Sequence, residues 1–133
     1  MKKLKIAAFI FVGLIIHQIS TQAAVLIKSQ ETAISISEVY VPEGLNSKMD
    51  SYVVIAGIYP NGCYSWKRSD VVSLNLYSHI IRPIADVTQA YCIMVLVPFA
   101  EPVQLGRLSP GSHHLLFLNA DGSYLQRTLE IEY

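Results

Sequence analysis

The chain has 133 residues, of which 52% are hydrophobic and 15% are charged, and ten Lys and Arg residues balance ten Asp and Glu residues. This length suits one domain with a core large enough to fold unaided. Beyond the N-terminus the basic residues occur singly or in the one pair Lys67 and Arg68. Such scattering excludes nucleic acid and a polybasic membrane patch, because both need a basic face.

The N-terminus has the layout of a secretory signal peptide. Lys2, Lys3 and Lys5 precede an apolar run over residues 6–16, and a more polar stretch then leads to the small residue Ala23. The run is shorter than the roughly 20 residues that span a bilayer, so no stable membrane anchor is expected. We therefore predict a signal peptide over residues 1–23, with cleavage near Ala23, and a single domain over residues 24–133.

Cleavage would change the charge and the compartment of the chain. Three of the ten basic residues would leave with the signal peptide, and the mature chain would carry a net charge of about −3. No Cys lies at the cleavage site, so lipidation is not expected. The mature protein is predicted to be periplasmic or secreted.

Cys63 and Cys92 are the two cysteines of the chain. In an oxidising compartment, an even pair without CxxC spacing indicates one structural disulfide. A disulfide between them would close a loop of about 30 residues and stabilise the fold by roughly 3 kcal/mol. The alternative, a reactive or metal-binding thiol pair, is disfavoured because no further soft ligand stands nearby.

After the predicted signal, the pattern indicates strands throughout. Residues 33–41 alternate and then lose phase near Glu38, as at a sheet edge or a bulge. Residues 52–59 are continuously apolar, which indicates a strand near the middle of a sheet. Residues 71–81 alternate cleanly and predict one strand, whose buried face holds Val72, Leu74, Leu76 and Ile80 and whose wet face holds Ser73, Asn75, Tyr77 and His79.

Arg82 and Pro83 interrupt this pattern, and residues 91–97 then predict a second central strand. A short strand over residues 103–108 follows. Pro110 and Gly111 fit a type II turn, in which glycine supplies the positive φ. Residues 113–119 and 124–133 predict two strands joined by an Asp-Gly hairpin turn.

Seven strands with regularly spaced turn signals predict an all-β fold, an antiparallel immunoglobulin-like β-sandwich. A β-barrel is the main competitor. Trp66 lies three residues after Cys63, which does not match the buried Trp between the widely spaced cysteines of antibody domains. The immunoglobulin label therefore describes architecture only.

The residues suited to catalysis do not form a recognisable set. No GxSxG nucleophile elbow occurs, and Ser65 and Ser112 lie in turn-like contexts. Cys-His catalysis would need a free thiol, which the expected disulfide removes. Asp70, Asp86, Glu101 and Asp121 are most simply solvated loop acids, the alternative being a carboxylate pair for glycoside chemistry. We predict a non-enzymatic protein with no catalytic residues and no cofactor.

Metal binding would rest on three histidines and two methionines. Adjacent strand residues point to opposite faces, so at most one of His113 and His114 could pair with His79. The chain offers no second clustered pair of ligands. We predict no metal site and interpret these residues as ordinary surface or half-buried side chains: His79, His113, His114, Met49 and Met94.

Aromatic residues bracket the turn over residues 60–63. Such rings are favoured at binding surfaces because they contribute apolar area and a hydrogen bond at low entropy cost. The alternative is that tyrosine is a good strand former and packs against the sheets, and Phe99 is expected to plug the sandwich edge. The loop over residues 60–68 is the predicted contact with a protein or envelope polymer, through Tyr59, Tyr64, Trp66, Lys67 and Arg68.

From Gly57 onward the chain resembles small exported bacterial β-sandwich proteins with one disulfide. The resemblance covers about the C-terminal 75 residues and implies that fold and that disulfide, without catalytic residues to carry over. Ser112, His113 and His114 depart from it, since Thr or aromatic residues are more usual there, and residues 66–68 are also distinctive. It rests on Pro60-Asn61-Gly62-Cys63-Tyr64, Cys92, Val97-Pro98-Phe99, Val103-Gln104-Leu105-Gly106, Leu108, Pro110-Gly111 and Asn119.

These observations predict a non-enzymatic exported binding or structural module of the bacterial envelope or secretome. The alternative is a secreted protease inhibitor that presents loops from one end of the sandwich, an expectation by analogy of fold. A third alternative, a small hydrolase, requires a nucleophile and a base that converge in a pocket.

Overall fold

A computed structural model describes residues 26–133 of the chain. The predicted signal peptide and its cleavage near Ala23 lie outside the described residues. The described part consists of strands, turns and loops. The strands are β1 (Ser29–Ala33), β2 (Glu38–Tyr40), β3 (Ser51–Tyr59), β4 (Tyr64–Asn75), β5 (Ser78–Thr88), β6 (Val97–Gly106), β7 (Gly111–Leu118) and β8 (Tyr124–Ile131).

The strands form two sheets. In the larger sheet β5 pairs with β4 along one edge and with β7 and β1 in succession along the other, and β8 pairs with β7. The smaller sheet has the order β2-β3-β6. The pairs are antiparallel except for β5 with β7, which are parallel. The predicted β-sandwich is confirmed, with eight strands instead of seven.

The core lies between the inner faces of the sheets. Strand β3 buries every second residue, and Val53 and Ile55 have no exposed surface. The apolar run over residues 52–59 is thus a central strand, as predicted, between β2 and β6. The larger sheet supplies the opposing side chains, which include Ile81, Leu115, Phe117 and Leu129.

The strand predicted over residues 33–41 is two short strands in different sheets. Strand β1 pairs with β5, and β2 pairs with β3. The chain crosses between the sheets at Ile34 and Ile36, which are both buried. The loss of phase near Glu38 therefore marks a change of sheet. The side chain of Asn119 stabilises this crossing by accepting a hydrogen bond from the Ile36 amide at 2.9 Å.

The single strand predicted over residues 71–81 is wrong, because these residues form a hairpin. Leu76 and Tyr77 are its turn, and the Asn75 side chain accepts a hydrogen bond from the Tyr77 amide at 2.9 Å. Such a local bond favours a turn without glycine. Val72 and Leu74 lie on the outer face of the sheet and, with Leu76, are mostly exposed, whereas His79 is buried.

The predicted interruption at Arg82 and Pro83 is wrong, because β5 continues through both residues. On one edge β5 pairs with β4, and on the other it pairs with β7 as far as Ile81 and with β1 from Ile84. The Pro83 carbonyl accepts from the Ile34 amide, so its nitrogen also faces this second edge. Proline thus falls where β5 changes neighbours and no amide donor is needed.

The second central strand predicted over residues 91–97 is wrong as well. Residues 91–96 lie outside the strands, and β6 begins only at Val97. Their composition favours a strand, but the segment pairs with no described strand and is an exposed loop.

The positive φ predicted for two glycines is confirmed. Gly111, the first residue of β7, has a φ of 130°, and Gly122, in the turn before β8, has a φ of 86°. Gly57 is constrained by packing: a side chain there would come within 2.8 Å of the Phe99 ring and 2.9 Å of the Ser35 carbonyl. Close contact between β3 and β6 therefore requires glycine at this position.

We predict opposite outcomes for the same substitution on the two faces of the larger sheet. Leu115→Ala should lower the free energy of unfolding by about 2–5 kcal/mol, because this core side chain is 1% exposed. Leu74→Ala should change it by less than about 0.5 kcal/mol, because Leu74 is 64% exposed. Urea denaturation measures both values, and equal losses would contradict the assignment of the faces.

Candidate functional site

The candidate site is the end of the sandwich at which β4 begins and β5 ends. Residues 91–96, here called the apolar loop, connect this end to β6. The Cys63–Cys92 disulfide anchors the loop, with a Cα–Cα distance of 5.3 Å that is normal for such bonds. The Gly62 amide donates to the Ile93 carbonyl at 2.9 Å. These contacts connect the turn over residues 60–63 to the apolar loop, and the predicted disulfide is confirmed.

Apart from the half-buried Cys92, the side chains of the apolar loop face outward. These residues belong to no strand and are not part of the described core clusters. Large apolar residues are normally buried or scattered singly, and an exposed group of them indicates an interaction site. The exposed fractions are 109% for Tyr91, 71% for Ile93, 80% for Met94, 53% for Val95 and 70% for Leu96.

The start of the described chain adds to this apolar end. The Gln89 amide donates to the Lys28 carbonyl at 2.9 Å, which places the residues before β1 beside the loop. Leu26 and Ile27 are both exposed there. No charged residue occurs between Gln89 and Glu101. The loop is therefore uncharged as well as apolar.

The three aromatic residues predicted to bind a partner pack largely inside the domain. Tyr59 is buried and stacks on Phe99 at a ring distance of 4.3 Å. Tyr64 lies 5.8 Å from Tyr59, and Trp66 lies 6.5 Å from Phe99. Burial raises the pKa of Tyr59, and the charge of Glu101 adds to this shift. Phe99 closes the sandwich edge, as predicted.

Lys67 and Arg68 lie on the outer face of the larger sheet. A bulge between Trp66 and Arg68 shifts the register of β4 against β5. Lys67 bridges Glu31 and Asp86 at 3.0 Å, and Arg68 contacts Glu31 at 2.8 Å. Hydrogen bonds from Arg68 and then Lys67 lower the pKa of Glu31 to about 2. Both cations are therefore neutralised by neighbouring strands.

The five predicted binding residues thus divide into two groups: Tyr59 on β3 packs with Tyr64 and Trp66 on β4 towards the core, whereas Lys67 and Arg68 lie on the outer face of β4. Residues 60–63 of the predicted contact loop lie against the apolar loop through Gly62 and Cys63. Sequence reasoning missed the apolar loop itself because residues 91–97 have the composition of a buried strand. The signal that could have indicated exposure is Cys92, because its bond to Cys63 fixes the segment at a turn.

The match to a known family covers most of the two sheets. The sequence model of the ORF11 beta-sandwich domain family matches residues 53–131. The chain belongs to this family. Searches among curated proteins and among solved structures find no significant match. The family assignment includes β4 to β8 in full, and the apolar loop is part of the ORF11 beta-sandwich domain.

A second group of polar side chains lies at the opposite end of the ORF11 beta-sandwich domain. His79 and His113 are buried, and their Nε2 and Nδ1 atoms are 3.0 Å apart. Ser73 Oγ lies 2.8 Å from His79 Nδ1, and His113 Nε2 lies 2.7 Å from the Ser109 carbonyl. His79 therefore pairs with one of the two adjacent histidines, in accord with the limit predicted from strand geometry, while His114 is exposed.

The Ser109 carbonyl determines which ring nitrogen carries the proton in each of the two buried histidines. It can only accept, so neutral His113 carries its proton on Nε2 and accepts at Nδ1. His79 then donates from Nε2, and its Nδ1 accepts from Ser73. Burial, followed by the charge of His113, lowers the pKa of His79. All four ring nitrogens of the neutral pair are therefore hydrogen-bonded, to each other, to Ser73 and to the Ser109 carbonyl.

The arrangement of Ser73 and His79 brings a hydroxyl to a base, but not within a pocket. Ser73 lies on the edge strand β4 and is exposed. The neighbouring groove, of about 480 Å³, lies on the outer face of the sheet, and its lining includes His79 but not Ser73. Across residues 26–133, no three His, Cys, Asp or Glu side chains form a group that could hold a metal ion.

Residues 26–133 include no helix that combines the length and hydropathy needed to cross a bilayer.

We predict that the buried histidine pair makes stability fall with acidification. The native state holds His79 neutral, whereas an unfolded histidine titrates near pH 6.5. The stabilisation is complete above that value and is lost as the pH falls through it. Between about pH 7.5 and 5.5, the free energy of unfolding should decrease by about 1 kcal/mol.

Urea denaturation at several pH values measures this effect. Replacing both histidines with apolar residues, in the variant His79→Leu with His113→Leu, should flatten the dependence. The exposed His114→Gln control should retain it. Glu31 does not interfere, because its native pKa of about 2 and its ordinary value of 4.5 in the unfolded chain both lie below this range. Constant stability of the parent protein over this range would contradict the prediction.

Proposed function

We propose that this domain is a non-enzymatic binding module that acts through the apolar loop in the envelope or secretome of a bacterium. The observation that carries this proposal is the exposure of Tyr91, Ile93, Met94, Val95 and Leu96 in one short segment. Monomeric soluble proteins rarely expose contiguous apolar side chains of this size unless they contact a partner.

The disulfide supports the same proposal. The apolar loop has no strand partner, and a free loop of this length would lose much conformational entropy on binding. The bond from Cys92 to Cys63 restricts the loop before any partner arrives. Such preorganisation favours binding because less freedom remains to be lost.

Export is part of the proposal and rests on two features. The N-terminal sequence has the composition of a signal peptide. The half-buried disulfide is consistent with an oxidising compartment. A role without catalysis is favoured because the exposed Ser73 beside His79 does not line the neighbouring groove.

Binding to isolated bacterial envelopes tests the proposed function. We expect the protein to co-sediment with envelopes, and the variant Tyr91→Ser with Leu96→Ser to lose most of this binding because its apolar contact area is removed. The matched control is Leu74→Ser with Tyr124→Ser, two residues that are 64% and 58% exposed on the larger sheet. Equal binding by the two variants would refute the role of the loop.

A secreted protease inhibitor is the second candidate. The favouring observation is the disulfide-anchored loop itself, because a protruding and restrained segment is a form that can enter a protease cleft. The two candidates differ in what proteases do to this segment. An inhibitor keeps its loop intact while it blocks the enzyme, whereas another binding module is a simple substrate.

Incubation with a panel of secreted serine, cysteine and metalloproteases separates the two candidates. Under the leading proposal, we expect cleavage within residues 91–96 and no inhibition, because the exposed loop is the accessible segment. Inhibition of one protease class by the intact protein, lost in the Tyr91→Ser with Leu96→Ser variant, would establish the inhibitor instead. The reaction rates and the masses of the fragments give both outcomes.

A further inference from the structure

We propose that the apolar loop contacts the surface of a lipid bilayer. This inference rests on the proposed binding function and names the partner of the same loop. Its side chains would enter the boundary between the headgroups and the hydrocarbon region, while the two sheets remain in water. The contact is reversible and differs from a membrane-spanning anchor.

The exposed apolar area of the loop is sufficient for contact with a bilayer. Together with Leu26 and Ile27, its five exposed apolar side chains offer about 700 Å² at roughly 100 Å² each. Each partner in a stable protein complex typically contributes about 800 Å² of complementary surface. The loop residues line none of the described grooves, and their side chains are exposed. A bilayer needs no complementary shape, so exposed apolar side chains can enter it without a matching pocket.

The charge and composition of the loop fit the bilayer boundary. No charged side chain lies between Gln89 and Glu101, so insertion would not desolvate an ion. Tyr91 combines an apolar ring with a hydroxyl that can remain among the headgroups. Lys28 is held beside the loop by its carbonyl contact with Gln89 and could remain in water.

The backbone of the loop limits the depth of insertion. Residues 91–96 belong to no strand, and unpaired amide and carbonyl groups are costly in hydrocarbon. The backbone must therefore stay with water and headgroups, and only the side chains reach the acyl chains. This limit distinguishes a surface contact from a span.

The chain enters the domain at this same end. Twenty-five residues precede Leu26, and they include the apolar run over residues 6–16 that is predicted to direct the chain to a membrane. After the predicted cleavage, the mature sequence would begin Ala24-Val25-Leu26-Ile27. Leu26 and Ile27 lie beside the loop through the Lys28 contact. The apolar ends of the chain and of the sandwich therefore coincide.

Vesicle flotation of the protein recovered after export tests the inference. The probes are vesicles of phosphatidylcholine and of phosphatidylcholine mixed with phosphatidylglycerol, at low and high salt. We expect binding to both, with little effect of salt, because the loop is uncharged. Ile93→Asp with Met94→Asp should weaken binding by about tenfold or more. Val72→Asp with Leu74→Asp, on the exposed outer face of β4, should leave it unchanged.

The remaining outcomes overturn the inference in distinguishable ways. Loop-dependent binding to envelopes without vesicle binding would retain the proposed function and identify a protein or polymer partner. Equal losses in both variants would indicate nonspecific adhesion. Binding only to anionic vesicles at low salt would indicate that electrostatic attraction, and not insertion of the apolar loop, causes the binding. A parent dimer that Ile93→Asp with Met94→Asp converts to a monomer would identify a second copy as the partner. Unchanged thermal melting verifies that both variants fold.

Discussion

Strand β5 is the element on which the rest of the structure depends, because its backbone pairs with three other strands. It contacts β4 along one edge and β7 and β1 in succession along the other. The chain must therefore change neighbours beside one strand, and Pro83 lies at that change. A residue that lacks an amide donor is tolerated there, whereas it would remove a ladder bond elsewhere in the strand.

The ends of β5 determine the chemistry at the two ends of the sandwich. At one end the Thr88 amide donates to the Cys63 carbonyl at 3.0 Å, which positions the disulfide and the apolar loop. At the other end His79 pairs with His113 inside the sandwich. Exposed apolar groups and buried polar groups are both uncommon. The histidines satisfy each other's hydrogen bonds, whereas the loop has no such internal explanation and therefore indicates a partner.

Alternation of apolar residues predicted those strands whose faces differ in burial. It located β8, whereas a continuous apolar run located β3 and the flanking turn signals located β7; in the structure the inward side chains of all three recur with a period of two. Sequence reasoning failed over residues 71–81 and 91–97. In the first case Asn75 forms a turn through its side chain, which interrupts an apparently continuous pattern. In the second, a strand-like composition lacks a neighbouring strand, and composition does not specify the pairing partner.

The sequence by itself determined the all-β class, the disulfide and the uncharged character of residues 90–100. These properties follow from residue types and their local period, which can be read without knowing what lies across the fold. Only the tertiary structure decided that Tyr59 packs on Phe99, that Lys67 is neutralised by Glu31, and that the apolar loop is exposed. Exposure depends on contacts between residues distant in the chain, and strand composition is the same whether or not a second strand is available to cover it.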